Sequence, residues 1–226
     1  MSRIPLIEPD AVEGQLADFY NAATEMIGRV PNSIQTWSHN PFIAMMMLPL
    51  IVTIQREWPG TELSGRIKEL VVIKTSQINE CAYCFAHNTS LGQAAGITEE
   101  HIIALSGHDY WLSDLFDERE RLAIAWAEHV TRRTAAENDE LYAKLEEHFS
   151  RAEIIELTFV CGLFNMINRL NDSLALDIED QGEMDRIKGT LQADPARIGQ
   201  YLRWLADAWP ENFDTLKAES RAAAAE

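Results

Sequence analysis

The sequence predicts an all-α fold, a helical bundle with a C-terminal helical extension, on three observations. Apolar residues recur at helical spacing along nearly the whole chain, and no stretch shows the strict alternation of a half-buried strand. Helix-start signals precede the apolar runs: Asn40-Pro41, the capping box Ser150-Arg-Ala-Glu153, and Asp194-Pro195. Hydrophobic residues make up 46% of the 226, enough to close a sizeable core.

Taken in order, Asp10 is positioned to cap a helix with Val12, Leu16, Phe19, Ala23 and Met26 on one face, ended by Gly28. A loop with Pro31 follows. Asn40 and Pro41 open a helix reaching Glu57, kinked at Pro49 and closed by Trp58-Pro59-Gly60. Residues 62–78 are apolar on several faces, which predicts a buried helix. Asn79 reads as the N-cap of the next helix, with Glu80 its first residue, Cys81 in its first turn and Gly96 at its end. Helices are expected over 98–105 and 117–133, and over 139–148 with Asn138 at the start.

The box at Ser150 opens a long helix to Leu176. EDQGEMD beyond it reads as a polar linker. Asp194-Pro195 then starts an amphipathic helix carrying Ile198, Leu202, Leu205 and Trp209, and the ending KAESRAAAAE is expected to fray. On this reading residues 1–176 form the main domain and residues 177–226 a helical C-terminal extension.

A formal charge of −17 argues against nucleic acid or an anionic membrane surface as partner, because phosphate repels such a surface. MSRIPLIEPD has no apolar h-region, and the apolar run Phe42–Ile54 is too short to span a bilayer. The expectation is therefore a cytoplasmic protein. Three cysteines are too few for a disulfide scaffold, and a close pair in a reducing compartment points to redox catalysis or metal binding.

That pair lies in NECAYCFAHN. On a helix, Cys81, Cys84 and His87 are spaced by three and share one side. The Cα separation of an i,i+3 pair suits a disulfide, so a dithiol here can oxidise without refolding. The helix N-terminus favours a thiolate at Cys81 and less strongly at Cys84, and His87 is placed to exchange a proton near Cys84. Two other readings stay open: inert packed sulfur, and zinc. Zinc lacks a second CxxC or HxxxH to complete four ligands, and Cys161, in TFVCGLFNMI, reads as a core cysteine.

Glu69, in RIKELVVIKT, is flanked one turn on by Val72 and Ile73, which predicts a partly buried carboxylate suited to proton transfer. A salt bridge to Arg66 is the alternative. His39, His101, His108, His129 and His148 have polar neighbours and no ligand spacing, so each is expected at the surface. WSHNPFIAMMML reads as core or subunit interface.

ELVVIKTSQINECAYCFAH resembles the signature of the carboxymuconolactone decarboxylase and alkyl hydroperoxidase D-like (AhpD-like) superfamily: a Glu, a CxxC twelve positions later, then a His. GRVPNSIQTWSHNP, AAGIT, ERERLAIAWAEHVT and FSRAEIIELTFVCGLFNMINRL are similar to the family's flanks, so the resemblance covers residues 5–176. The family's usual His stands four after the second Cys. Here that position is Asn88, and His87 stands one earlier.

The resemblance implies an all-helical homo-oligomer (dimer, trimer or hexamer) and a peroxidase role; no cofactor and no metal are expected. It implies Cys84 as the peroxidatic cysteine, Cys81 as the resolving one, and Glu69 with His87 as the proton relay. A small-molecule hydroperoxide would be the substrate and a dithiol or protein the reductant. Two alternatives are weighed against this: a non-redox carboxymuconolactone decarboxylase-like lyase, whose members generally lack the CxxC, and a non-enzymatic redox-sensing or scaffold protein.

Overall fold

The computed structural model of the chain describes residues 2–107, 109–209 and 213–225, and among these the regular structure is helical. The helices are α1 (Gly14–Ile27), α2 (Asn32–Trp37), α3 (Pro41–Gln55), α4 (Gly65–Ile78), α5 (Ala82–Ala94), α6 (Glu99–Ser106), α7 (Glu118–Arg132), α8 (Asp139–His148), α9 (Arg151–Ser173), α10 (Gln181–Asp185), α11 (Pro195–Ala208) and α12 (Phe213–Ala223). The chain divides into two compact units, one of residues 60–173 and one of residues 1–59 with 174–226.

In the first unit, α4 is the axis. It packs against α5, α7 and α9, with α6 on it and α8 against α7 and α9. Leu70, Val71, Val72 and Ile73 are all buried, so four successive residues face protein in every direction, as a central helix requires. Caps fix the boundaries: Ser64, Thr98, Asp117 and Asn138 each accept a backbone N–H of the helix they precede. The Ser150–Glu153 box closes in both directions, at 2.7 and 3.2 Å.

In the other unit, α1 packs on α3, α11 and α12, and α3 on α2, α11 and α12. The segment after residue 173 is woven into the N-terminal helices. Tyr201 donates to the Met45 carbonyl at 2.7 Å, Ser220 to the Ser38 carbonyl at 2.7 Å, and Glu57 pairs by its backbone with Leu191 and Ala193. Its first break, at 59/60, has no counterpart in a division placed at 176/177.

Several expectations are corrected. The first helix begins after Glu13 instead of Asp10. The loop at Pro31 contains α2, whose Asn32 donates to the Asp177 carbonyl at 3.0 Å. The polar linker folds as α10 and a 3-10 turn over Arg186–Thr190, started by the Asp180 side chain. The tail is helical as α12, with Leu216, Ser220 and Ala223 buried. Gly28 ends α1 at φ 82°, where a Cβ would meet the Arg186 carbonyl oxygen at 2.6 Å, so only glycine fits.

The histidines divide. His39 is exposed, whereas His101 completes the Thr98 capping box, His129 binds Thr134 at 2.8 Å, and His148 is half-buried; His108 lies outside the described residues. In the WSHNPFIAMMML stretch, Trp37, Met45, Met47 and Leu48 are core and Phe42, Ile43 and Met46 are exposed. No described helix is long and apolar enough to cross a membrane.

Candidate functional site: a dithiol at a helix start

The turn from α4 to α5 departs from the expectation that Asn79 caps α5. Asn79 instead closes α4, Glu80 adopts the left-handed region at φ 56°, and Cys81 is the N-cap. The reason is tertiary. The Asn79 side-chain amide donates to Asn165 and Asn168 of α9, both at 3.0 Å, and is thereby drawn away from capping. A non-glycine residue at positive φ costs about 1 kcal/mol or more. That strain sits one residue before the first cysteine.

Cys81 thus places sulfur where a capping oxygen usually stands, and its Sγ accepts the backbone N–H of Cys84 at 3.4 Å. The two sulfurs are 2.7 Å apart, both cysteines are free, and both are buried. The hydrogen bond with Cys84 holds the Cys81 thiol below the usual range, helped by the backbone N–H groups of Cys84 and Tyr83 and opposed by burial and the Asp172 carboxylate. Cys84 is pushed strongly upward by the same sulfur–sulfur hydrogen bond, by burial, and by the negative charge it meets at Cys81. The two shifts run in opposite directions, so the first negative charge the pair takes on is carried by Cys81.

Helix α9 supplies residues that the cysteine motif alone does not reveal. Asn171 donates to the Cys84 sulfur at 3.5 Å, and Asn168 also hydrogen-bonds it, both favouring the Cys84 thiolate. Asn168 further donates to Ser76 at 3.2 Å. Asn165, Asn168 and Asn171 recur every three residues on an otherwise apolar helix, and that spacing was the available signal.

Glu69 is fully buried on α4. Arg66, the alternative salt-bridge partner, reaches Glu120 instead, with Nε and Oε1 2.5 Å apart. The neighbouring Lys68, equally buried, pairs with Glu156 at 2.5 Å, whose other oxygen accepts the backbone N–H groups of Glu62 and Leu63. His87 is buried on α5, its Nδ1 2.7 Å from the Tyr83 carbonyl and its ring 4.1 Å from the Tyr83 ring. A carbonyl only accepts, so Nδ1 carries the proton and Nε2 is the basic nitrogen of the neutral ring. Asn88, at the family's usual histidine position, donates to the Cys84 carbonyl at 2.7 Å and so serves the helix backbone.

A cleft of about 380 Å³ opens beside the turn, lined by Ser76, Gln77, Glu80, Cys81, Ala82, Phe85 and Ser106. Cys81 is the cysteine in that lining. Ser106 is held from below: the buried Lys74 ammonium donates to the carbonyls of Leu105 at 3.0 Å and Gly107 at 3.3 Å. Gln77 donates to Ser106 Oγ at 3.0 Å. Burial lowers the Lys74 pKa, partly countered by Glu128 3.6 Å away. Cys161 is engaged elsewhere, touching Thr75 at 3.4 Å and Thr131 at 3.5 Å, its thiol pushed up by burial. Among the described residues, no three His, Cys, Asp or Glu side chains converge as a metal site.

An all-helical protein with two free cysteines in close contact at a helix start, one of them lining a cleft, is the class that fold and site define. Residues 55–129 match the Carboxymuconolactone decarboxylase family. The uncharacterized protein YnjA of Escherichia coli (strain K12) is 28% identical over 156 residues, 69% of this chain and 82% of that one. The alkylhydroperoxidase AhpD core of an uncharacterized peroxidase-related protein from Ralstonia eutropha JMP134 superposes with TM-score 0.67 at 19% identity, covering 85% of this chain and 98% of that one. The debrominase Bmp8 in complex with 2,3,4-tribromopyrrole superposes with TM-score 0.66 at 23% identity, over 81% and 96% of the two chains. The last two likenesses speak for the fold. Over residues 55–129 the chain is thus similar to the carboxymuconolactone decarboxylase family, and its all-helical fold is similar to that of the AhpD core.

Proposed function

We propose that the protein is a thiol-dependent peroxidase, an oxidoreductase that reduces organic hydroperoxides through the Cys81–Cys84 dithiol. The observation that carries this is the placement of Cys81: an N-cap sulfur with a lowered pKa, in the lining of a cleft, 2.7 Å from the Cys84 sulfur. The same observation favours Cys81 as the attacking sulfur and Cys84 as the resolving one, the reverse of the order carried over from the family.

In this reading the Cys81 thiolate attacks the terminal peroxide oxygen. The S–O bond forms, the O–O bond breaks, and the leaving alkoxide takes the proton that Cys84 held toward Cys81. The Cys84 thiolate, favoured by Asn168 and Asn171, attacks the Cys81 sulfenic sulfur and expels hydroxide, which is protonated to water. Glu69 and the His87 Nε2 are the proposed relay for that last proton. A dithiol reductant restores the pair by attacking the disulfide at Cys81 from the cleft. Summed, dithiol and hydroperoxide give disulfide, alcohol and water.

The test is trapping of the sulfenic acid. In Cys84→Ser, one equivalent of cumene hydroperoxide should leave a dimedone-reactive sulfenic acid on Cys81, found by peptide mass mapping. In Cys81→Ser the adduct should be absent at the same dose. A fast adduct on Cys84 in Cys81→Ser would restore the family order. Turnover that survives alkylation of both thiols would overturn the redox reading in favour of a lyase. A brominated pyrrole belongs in the same assay, because a dithiol can also reduce a carbon–halogen bond and one fold neighbour is a debrominase. A homo-oligomer remains part of the proposal, supported by Ile155, Phe159 and Met166, which lie exposed along α9.

A further inference from the structure

We infer that Glu80 restricts the Cys81 cleft to uncharged substrates, so that the hydroperoxides reduced are neutral alkyl or aryl ones and anionic peroxides are refused. The inference deepens the peroxidase reading and rests on it for the identity of the substrate. It rests on the cleft alone for the exclusion of anions.

The residues around the opening carry it. Of the lining side chains besides Cys81, Ser76, Gln77 and Ser106 are polar and uncharged, Ala82 and Phe85 are apolar, and Glu80 is the one carboxylate, with no Lys or Arg among them. Phe85 and Ala82 offer a surface for a hydrocarbon group, and the serines and glutamine offer hydrogen bonds to a neutral hydroperoxide. Lys74, behind the Ser106 wall, has its ammonium turned to the carbonyls of Leu105 and Gly107 and to Glu128. An anion entering the cleft would meet the Glu80 carboxylate and the Cys81 thiolate together, with Asp172 adding a third negative charge felt at the same sulfur.

The backbone argues that the carboxylate is not incidental. Glu80 holds φ 56°, a conformation that glycine or asparagine adopts more readily, in the residue directly before the N-cap. A negative charge there also competes with the Cys81 thiolate for the favourable end of α5. A residue kept for local geometry alone has no reason to be glutamate, whereas a residue that screens what approaches Cys81 does.

The experiment compares two alkylating reagents of nearly equal size on the reduced full chain: iodoacetamide, which is neutral, and iodoacetate, which is an anion. Adducts on Cys81 are timed by mass mapping, and the ratio of the two rates is the readout, since any change in thiolate fraction cancels in it. The ratio is expected to favour iodoacetamide beyond its value for a free cysteine peptide. In Glu80→Gln it should shrink about fivefold, and wild type in about 1 M salt should move the same way.

Glu80→Gly removes the charge while relieving the positive φ, so it should fold and give the same narrowing. Glu80→Asp should keep the wild-type ratio. A ratio that stays fixed in Glu80→Gln and Glu80→Gly overturns the inference. Cumene hydroperoxide against its ring-carboxylated analogue should show the same discrimination in turnover. If neither peroxide is reduced while the alkylation ratio still collapses in Glu80→Gln, the peroxidase reading fails and the charge filter stands.

Discussion

Cys81 and Cys161 are the same residue type, equally buried, in the same compact unit, and they have opposite chemistry built into them. Cys161 sits in mid-helix on α9, where backbone N–H groups are already committed to the helix, and its neighbours are the hydroxyls of Thr75 and Thr131. Burial pushes its thiol up. Cys81 stands at a helix start, where N–H groups lack intrahelical partners, the Cys84 N–H donates to its sulfur and a second thiol lies 2.7 Å away, and its pKa falls. Burial does not decide reactivity here. What decides it is whether the fold leaves donors pointing at the sulfur and a cleft beside it.

The strongest way to break that comparison is to exchange the sulfur for oxygen. Cys81→Ser is expected to lose hydroperoxide turnover by about a thousandfold or more, because a serine hydroxyl is not ionised at this helix start. Cys161→Ala should keep turnover within about twofold. Equal losses in the two variants would make the contrast meaningless. Glu69→Gln should cost about a hundredfold if the buried carboxylate moves a proton, with a pH–rate profile that loses one limb. A loss matched by a fall in thermal midpoint and no change of profile would mark Glu69 as structural.

Smaller effects sharpen the contrast. Asn171→Ala removes a donor from the Cys84 sulfur, so closure of the disulfide after sulfenic acid formation should slow about threefold to tenfold in stopped-flow traces. Alkylation of native protein should label Cys81 first as pH rises, below the ordinary thiol value of 9.0, and leave Cys161 unlabelled until the chain unfolds. The smallest effect concerns stability. The native Cys161 pKa lies above 9.0, so above about pH 9 the unfolded chain ionises first and stability is lost as pH rises. Cys161→Ala should cost about 1 kcal/mol near neutrality and flatten that alkaline decline, read from urea midpoints across pH.

Much of the fold and part of the candidate site were legible in the sequence, for different reasons. Caps such as Asn40, Ser150 and Asp194 act within three residues of themselves, so local reading suffices. The spacing of Glu69, Cys81 and Cys84 was likewise visible, as was the burial of Glu69 from its apolar neighbours. Asn79 was misjudged because its amide answers to Asn165 and Asn168, more than eighty residues away. The same holds for α2 and α12, which read as loop and frayed tail. Their polar and small residues find partners such as Asp177 and Ser38 only once the chain ends have come together. The Cys81 cap escaped notice because sulfur is a rare capping atom and asparagine a common one.

The sulfur cap also ties the electron count of the site to the strength of a helix end. A thiolate is a better acceptor for the Cys84 N–H than a disulfide sulfur, so oxidation weakens the first turn of α5 and reduction tightens it. By reciprocity, whatever stiffens that turn favours the dithiol and makes the disulfide a stronger oxidant. Hydrogen exchange at the Cys84 amide is then a clock for the redox state, slow when the pair is reduced and faster once it is bonded.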